Sequence, residues 1–255
     1  HSFCREDQIE QEFLLVLKAI KKAMETYKMD YAVRLSLWDE NHPEKYLGDA
    51  KIWEKSQKLL EKILIENKID YIRAEGEAAL YGPKMDLIST DSIGRKWQIS
   101  TIQLDFIMPQ RFNLAYIDEA GKEQTPVMIH RAIVGSPERF MGILIEHYAG
   151  AFPTWLAPEQ VWVLPISEKH IGYANSVSDQ LRAAQVRVLA RDESESIGKR
   201  IRDGEKHKIP YLLVVGDKEI ESASVAVRQR GQGDLGQMNT EKFIEKITQE
   251  IKERT

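Results

Sequence analysis

At 255 residues the chain can fold as one large domain or as two of ordinary size, and two separate cores are the expected arrangement. Its 36 Lys and Arg against 40 Asp and Glu leave a net charge of -4, so bulk charge does not advertise a nucleic-acid binder. Cys4, the only cysteine, excludes an intramolecular disulfide and a thiolate-rich zinc site of the chain's own, and no run of about 18 apolar residues is present to span a bilayer.

The first residues form neither a hydrophobic signal nor an arginine-rich leader, so a soluble protein in a reducing compartment is expected. His1 is not an initiator methionine, and a fragment or a trimmed product is expected as well. From residue 7 to residue 28, Ile9, Phe13, Val16, Leu17, Ile20 and Met24 recur at helical spacing, with Lys18 and Lys22 on the opposite face. Residues 31–37 read as a strand, and Asn41, His42 and Pro43 interrupt the pattern before a second helix over 50–67 that buries Trp53, Leu59, Leu60, Ile63 and Leu64. Residues 71–73 and 84–88 are extended, a turn at 91–94 follows, and 97–106 is a long extended run. Together with a strand near His130 they predict an antiparallel sheet.

The run from Val127 to Gly150 places His130 and Arg139 nine residues apart around a turn of Gly135, Ser136 and Pro137. Proline suits a first helical turn, and Met141, Leu144, Ile145 and Tyr148 predict the buried side of the helix that follows. Arg139 sits in that first turn, where a cation opposes the helix dipole, so a phosphate or carboxylate ligand competes with an ordinary surface ion pair. His130 alone reads as a metal ligand or as a satisfied histidine beside the core.

The character of the chain changes at residues 152–160. Beyond it, short apolar strands (161–166, 186–190, 211–216) alternate with helices (173–181, 197–207), the pattern of a compact α/β unit. That unit continues through 224–231 to a final helix over 240–251 with a threonine cap at Thr240. The boundary is set at Leu156, giving domains 1–156 and 157–255. The second holds 16 basic and 16 acidic residues, so any RNA contact there rests on a few placed side chains.

Several residues have a functional and a plain reading. Tyr81, Gly82, Pro83 and Lys84 form a tight connection in which Gly82 permits close backbone approach and Lys84 either reaches an anion or is solvated. Strict alternation over 97–106 puts Gln98, Ser100, Ile102 and Leu104 on one face and Trp97, Ile99, Thr101 and Gln103 on the other, so Gln98 and Thr101 share a face only if the strand bulges. Met108 and Pro109 read as loop and core packing. Lys218 and Glu219 follow a strand, and Arg228 and Arg230 lie two apart on the next; Lys199, Arg200 and Arg202 sit near a helix start. All of these either contact phosphates and bases or form a solvated surface.

Taken together, YGPK, WQISTIQLDF, VMIHRAIVGSPERF, FPTWLAP, GDKE and VAVRQRG resemble the class II threonyl-tRNA synthetases, from the later part of the catalytic domain through the anticodon-binding domain. The likeness covers essentially the whole chain in order. It implies a partial class II antiparallel sheet with helices, an α+β arrangement, followed by a compact α/β anticodon-binding domain with a mixed sheet. It implies threonyl-adenylate formation from L-threonine and ATP with Mg2+, transfer to the terminal adenosine of tRNA(Thr), a homodimer, and a cytoplasmic location. A Zn2+ ion in such enzymes takes the amino and hydroxyl groups of threonine, which discriminates against valine; serine, which also has the hydroxyl, falls to an editing domain in many relatives.

By the same resemblance, Arg139 matches the phosphate-binding arginine of the third signature motif, and His130 and His1 match zinc ligands. Tyr81, Lys84, Gln98 and Thr101 match the wall that orients threonine and the adenylate, with Ser136 lining the same pocket. Lys218, Glu219 and Arg228 match anticodon contacts, and Arg230 a phosphate contact. The first-motif dimer interface, the second-motif arginine and the cysteine zinc ligand of the family match nothing in this chain, and Cys4 aligns with a non-ligand position. Autonomous aminoacylation is therefore not expected. A noncatalytic tRNA-binding or regulatory module is the alternative from another class. A related synthetase for proline or serine is a third reading, against which the His130 context and the tyrosine-lysine wall favour threonine.

Overall fold

Residues 1–192 and 194–254 are described by a computed structural model, in which the chain divides into two compact units, residues 1–143 and 144–255. In chain order the first unit holds β1 (Ser2–Cys4), α1 (Ile9–Tyr27), β2 (Ala32–Leu37), α2 (Ala50–Glu66), β3 (Ile72–Glu75), β4 (Lys84–Thr90) and β5 (Lys96–Asp105). After these come α3 (Met108–Arg111), a small hairpin of β6 (Tyr116–Ile117) and β7 (Glu123–Gln124), β8 (Val127–Ala132), and α4 (Pro137–His147), within which the division falls.

Six of these strands form one sheet in the order β1-β8-β5-β4-β2-β3. Its neighbours are antiparallel, as expected, except that β3 runs parallel to β2. The apolar stripe of α1 is legible from its spacing, and all six predicted residues are buried. Helix α2 starts at Asp49, whose carboxylate accepts the Ile52 backbone N–H at 2.9 Å, a cap worth about 1 kcal/mol. It buries Trp53, Leu60, Ile63 and Leu64, and Ser56 with them, while Leu59 is only half-buried. Both helices contact β5, where Ile102 and Leu104 are fully buried, and Met85, Leu87 and Leu35 continue the apolar layer. Each such side chain contributes about 1.5–3 kcal/mol on burial.

Helix α4 differs from expectation. Phe140, Ile143 and Leu144 form its buried stripe, whereas Met141 and Ile145 are exposed. The apolar residues of the run fit two overlapping helical faces, and the ring contact of Phe140 with Tyr27, at 5.0 Å between centroids, selects one of them.

The second unit contains β9 (Val161–Pro165), α5 (Ile171–Ala183), β10 (Val188–Ala190), α6 (Ile197–Lys206), β11 (Tyr211–Val215), α7 (Asp217–Glu221), β12 (Ser224–Gln229), β13 (Gly233–Asn239) and α8 (Thr240–Glu253). The sheet order is β10-β9-β11-β12-β13, parallel through the first three strands and antiparallel thereafter. This is the mixed sheet of the expected α/β unit. One face packs Val163, Leu213 and Val227 against Val177 and Leu181 of α5 and Phe243 and Ile247 of α8. The other packs Trp162, Leu164 and Leu212 against Ile197 and Ile201 of α6. The helix cap predicted at Thr240 lies one residue earlier, where Asn239 accepts the Glu241 and Lys242 N–H groups. Among the described residues, no helix is long and apolar enough to cross a membrane.

Candidate functional site

Residues that pair across a sheet share a face, so register shows which side chains meet. Lys84 pairs with Gln103 and Gln103 with His130, while Asp86 pairs with Thr101 and with Arg34. Lys84 and Asp86, two apart on β4, therefore lie on one face with Arg34, Ser36, Thr101, Gln103, Asp105 and His130. Met85, Leu87, Ile102 and Leu104 occupy the face covered by helices. Gln98 joins the polar face because the register shifts: Leu87 pairs with Ser100, Ile88 pairs with Gln98, and Ile99 is left unopposed. This is the β-bulge that the resemblance requires and that alternation alone does not supply.

Asp86 is the centre of the wall and is fully buried. Its Oδ1 accepts from Gln98 Nε2 at 2.8 Å and Thr101 Oγ1 at 2.7 Å. Its Oδ2 accepts from Arg34 Nη2 at 3.0 Å, Ser36 Oγ at 2.7 Å and Lys84 Nζ at 2.5 Å. Arg34 also meets Glu77, at 3.1 Å. Lys84 is thus neither a free cation nor a solvated one, but an ion-paired residue at the edge of the wall, 12% exposed in its side chain.

Beside it, the connection carrying Tyr81 is locked to β5. Gln103 Nε2 donates to the Gly82 carbonyl at 3.0 Å, and the Leu104 N–H donates to the Pro83 carbonyl at 3.1 Å. A Cβ on Gly82 would fall 1.9 Å from the Leu104 carbonyl oxygen, so only glycine fits. The Tyr81 ring consequently lies 5.0 Å from the His130 ring, and the His1 ring meets His130 edge-on at 4.6 Å. Ser2 pairs with Ile129, which sets His1 level with His130 across the β1–β8 pair.

His130 Nε2 is 2.7 Å from Asp105 Oδ2. The other oxygen of that buried carboxylate accepts the Ile107 and Met108 N–H groups at 2.9 and 2.8 Å. A carboxylate so placed is an acceptor, so the tautomer of a neutral His130 ring that fits it donates from Nε2 and leaves the lone pair on Nδ1. That is the tautomer a metal ligand needs, with the carboxylate orienting the ring from behind. His1 and His130 thus suit two ligand positions, while among the described residues no three His, Cys, Asp or Glu side chains converge on one point. Cys4 does not contribute: burial first, then Glu12 and Asp7, pushes its thiol up to about 11, away from the thiolate form.

Arg139 reaches the wall from α4. Its Nη2 donates to the Gln98 carbonyl at 2.8 Å, and its guanidinium lies 5.9 Å from the centre of the Trp97 ring. Gly135 turns the chain at φ +63° directly under it. Ser136 is exposed and donates to Glu138 at 2.7 Å, which holds that carboxyl below its ordinary range. Met108 and Pro109 belong to α3, and Pro109 is buried, as packing predicts. A groove of about 510 Å³ in this unit is lined by Phe3, Leu114, Tyr116, Ile117 and Pro126, away from the polar wall.

In the second unit, Lys218 is exposed at the start of α7, and Glu219 caps that helix by accepting the Gly216 N–H at 2.9 Å. Asp217 beside them is bonded to Lys169 at 2.7 Å and His170 at 3.2 Å, which together hold its carboxyl low. Arg228 contacts Asp234 at 3.3 Å and remains partly exposed. Arg230 corrects the expected pair. β12 ends at Gln229, and the Arg230 guanidinium donates to the carbonyls of Lys208, Ala151 and Phe152, an internal tie whose burial lowers its pKa. Arg200 is likewise buried, bonded to the Arg191 carbonyl, and is no surface contact. Lys199 pairs with Glu195 at 2.5 Å.

Asp86, Asp105, Arg34, Ser36 and Gln103 belong to the wall although the sequence motifs do not mark them as site residues. The two-residue spacing of Lys84 and Asp86 was the available signal, since it sets both on one strand face.

Comparison with known proteins agrees with this organisation. The family model described as tRNA synthetase class II core domain (G, H, P, S and T) matches residues 1–148, and the one described as anticodon binding domain matches residues 160–250. The threonine-tRNA ligase of Carboxydothermus hydrogenoformans is 47% identical over 254 residues, covering 100% of this chain and 39% of that protein. The threonine-tRNA ligase of Thermotoga maritima is 48% identical over 254 residues, again covering 100% of this chain and 39% of the relative. A crystal structure of the RNA binding domain of threonyl-tRNA synthetase from Cryptosporidium parvum Iowa II superposes with a TM-score of 0.90 at 33% identity, over 97% of this chain and 62% of that one. The chain therefore spans 39% of the length of these curated relatives. With a core-domain match over more than half its length and an anticodon-binding match after it, the chain belongs to the class II tRNA synthetase family, and within it is similar to the threonyl-tRNA synthetases.

Proposed function

We propose that this chain is the part of a threonine-tRNA ligase that holds one wall of the activation site and the anticodon-reading unit. The observation that carries the reading is the convergence of Lys84, Gln98 and Thr101 on Asp86, with His130, Tyr81 and Arg139 around them. Similarity to named threonine-tRNA ligases supports the choice of amino acid.

In this reading, a carboxylate oxygen of L-threonine attacks the α-phosphorus of ATP, and pyrophosphate leaves with Mg2+ as its counterion. The terminal adenosine of tRNA(Thr) then takes the threonyl group from the adenylate, releasing AMP. Arg139 binds ATP phosphates and offsets charge that develops as pyrophosphate departs. Lys84 meets the negative charge of the adenylate from the same wall, while Tyr81, Gln98, Thr101 and Ser136 orient the amino acid. His1 and His130 would hold a Zn2+ ion as two of its ligands, and that ion would supply Lewis-acid recognition of the threonine amino and hydroxyl groups.

The division of labour falls at residues 156/157. Lys218, Glu219 and Arg228 contact the anticodon, while Arg230 ties the end of its own strand to the carbonyls of Ala151, Phe152 and Lys208. The full-length ligase is expected to be a cytoplasmic homodimer, through a first-motif interface that matches nothing in this chain. Threonine-dependent ATP-pyrophosphate exchange, followed by transfer of labelled threonine to tRNA(Thr), tests the reading when the rest of the catalytic domain is present in the parent protein or supplied in trans. Exchange supported by a different amino acid reassigns the substrate, whereas RNA binding without exchange for any amino acid favours a noncatalytic module.

A further inference from the structure

The Gly82 N–H donates to the Ala79 carbonyl at 3.3 Å and closes a tight turn, of which Leu80 and Tyr81 are the central residues. The peptide between those two is the plate that can turn in such a loop, and turning it changes the φ of Tyr81 and the direction of its ring. Its carbonyl accepts the Leu47 N–H at 2.7 Å. Leu47 is pinned on its other side as well, because its own carbonyl accepts Nε1–H of Trp53 at 2.7 Å. Both peptide planes that flank Leu47 are therefore fixed.

Trp53 is a firm anchor for them. It is fully buried in the first turns of α2, its ring stacks on Trp38 at 5.6 Å between centroids, and Tyr46 meets it edge-on at 5.0 Å. The Trp38 N–H donates to Gln57 Oε1 at 2.9 Å, and the Tyr46 hydroxyl accepts the Asp39 N–H at 3.1 Å, so both neighbouring rings are tied in turn. Gly48, at φ +80°, lies so close over Ile107 that a Cβ would fall 2.9 Å from its Cδ1. The Ile107 N–H is one of the donors on Asp105, the carboxylate that holds His130. Residues 46–48 thus reach both supports of His130, the Tyr81 connection and the Asp105 corner.

We infer that Trp53 is a positioning residue for this site: through Leu47, its indole N–H sets the ring of Tyr81 against His130. That Tyr81 orients an amino acid rests on the proposed activation site, but the brace itself does not.

The test reads two NMR signals of the 255-residue chain at a pH where imidazole is neutral. The Trp53 Nε1–H signal, assigned by its loss in Trp53→Phe, is expected to exchange with solvent about tenfold or more slowly than free indole. The His130 ring protons, assigned by their loss in His130→Gln, sense the Tyr81 ring 5.0 Å away, and Tyr81→Leu gives their displacement when that ring is gone. Trp53→Phe is expected to move them by at least half of that displacement. So is β-(3-benzothienyl)alanine at position 53, which keeps the indole outline, puts sulfur where the N–H was, and serves if Trp53→Phe does not fold. In a Tyr81→Leu background the isostere is expected to add nothing, because its effect runs through that ring. Leu64→Ala, at the far end of α2, loosens the core away from the brace and is expected to leave the His130 signals in place.

Exchange at the rate of free indole overturns the inference, and so do His130 signals that the isostere leaves unmoved. An equal displacement in Leu64→Ala, or a further one in the Tyr81→Leu background, overturns it as well. With the rest of the catalytic domain present, the isostere is expected to raise the threonine KM of exchange about threefold or more and to leave the ATP KM unchanged. Displaced His130 signals with an unchanged threonine KM keep the brace and reject the role of Tyr81 in orienting threonine.

Discussion

Gln98 and Thr101, three residues apart on β5, donate to the same oxygen of Asp86 at 2.8 and 2.7 Å. A regular strand would point them to opposite faces. The unopposed Ile99 removes that conflict, sending its own apolar side chain into the core, where it is 1% exposed. One inserted residue thus gathers the polar wall without disturbing the apolar face opposite.

Gly82 is the second fixed point of that wall. Gly82→Ala forces a Cβ against the Leu104 carbonyl, and the expected cost is about 2–3 kcal/mol. Chemical denaturation monitored separately for each unit should show the loss in residues 1–143 alone. An unchanged midpoint would mean that the connection relaxes and does not need glycine.

With the rest of the catalytic domain present, Arg139→Ala should lower threonine-dependent exchange by about 10²–10³-fold if the guanidinium meets charge in the transition state, with lysine restoring only part of it. Its present contacts, a backbone carbonyl and a ring, are the kind that a phosphate displaces. An effect below threefold would make Arg139 a surface residue of α4.

Cys4 predicts a pH dependence. Burial raises its folded pKa from 9.0 to about 11, so the folded state keeps the proton that the unfolded chain has lost. This contribution to stability is complete below pH 9 and disappears as pH rises through about 11. The difference in unfolding free energy between the unaltered chain and Cys4→Ala should therefore shrink across that window. A constant difference would contradict the assigned burial effect.

In the second unit, Lys218→Ala and Arg228→Ala should weaken tRNA binding by about 1–3 kcal/mol each with little change in unit stability. Arg230→Ala should do the reverse, because it strips a donor from three carbonyls and costs about 1–3 kcal/mol of folding stability. Filter binding and thermal unfolding on the same samples separate the two effects. Loss of binding by Arg230→Ala with unchanged unfolding would return that residue to the RNA contacts.

Local pattern carried most of the fold. The burial of Ile9, Phe13, Val16, Leu17, Ile20 and Met24 follows from a helix that has one wet and one dry face. The α4 stripe failed because its apolar residues exceed one face, and tertiary contacts chose among them. β13 escaped notice because its residues are mostly exposed, with three glycine or acidic positions among the first four, and backbone pairing with β12 defines it. At the site, His130, Lys84 and Arg139 were legible from the family motifs. Asp86 and Asp105 were not, since their partners come from several strands and from a bulge that no short window of sequence specifies.

The most direct measurement is calorimetric titration of non-hydrolysable threonyl- and prolyl-adenylate analogues into the 255-residue chain. The prolyl group lacks both the primary ammonium and the hydroxyl. The account predicts that the threonyl analogue binds at least tenfold more tightly and that the preference shrinks in His130→Ala. Equal affinity for the two analogues, or a preference untouched by that substitution, would contradict it.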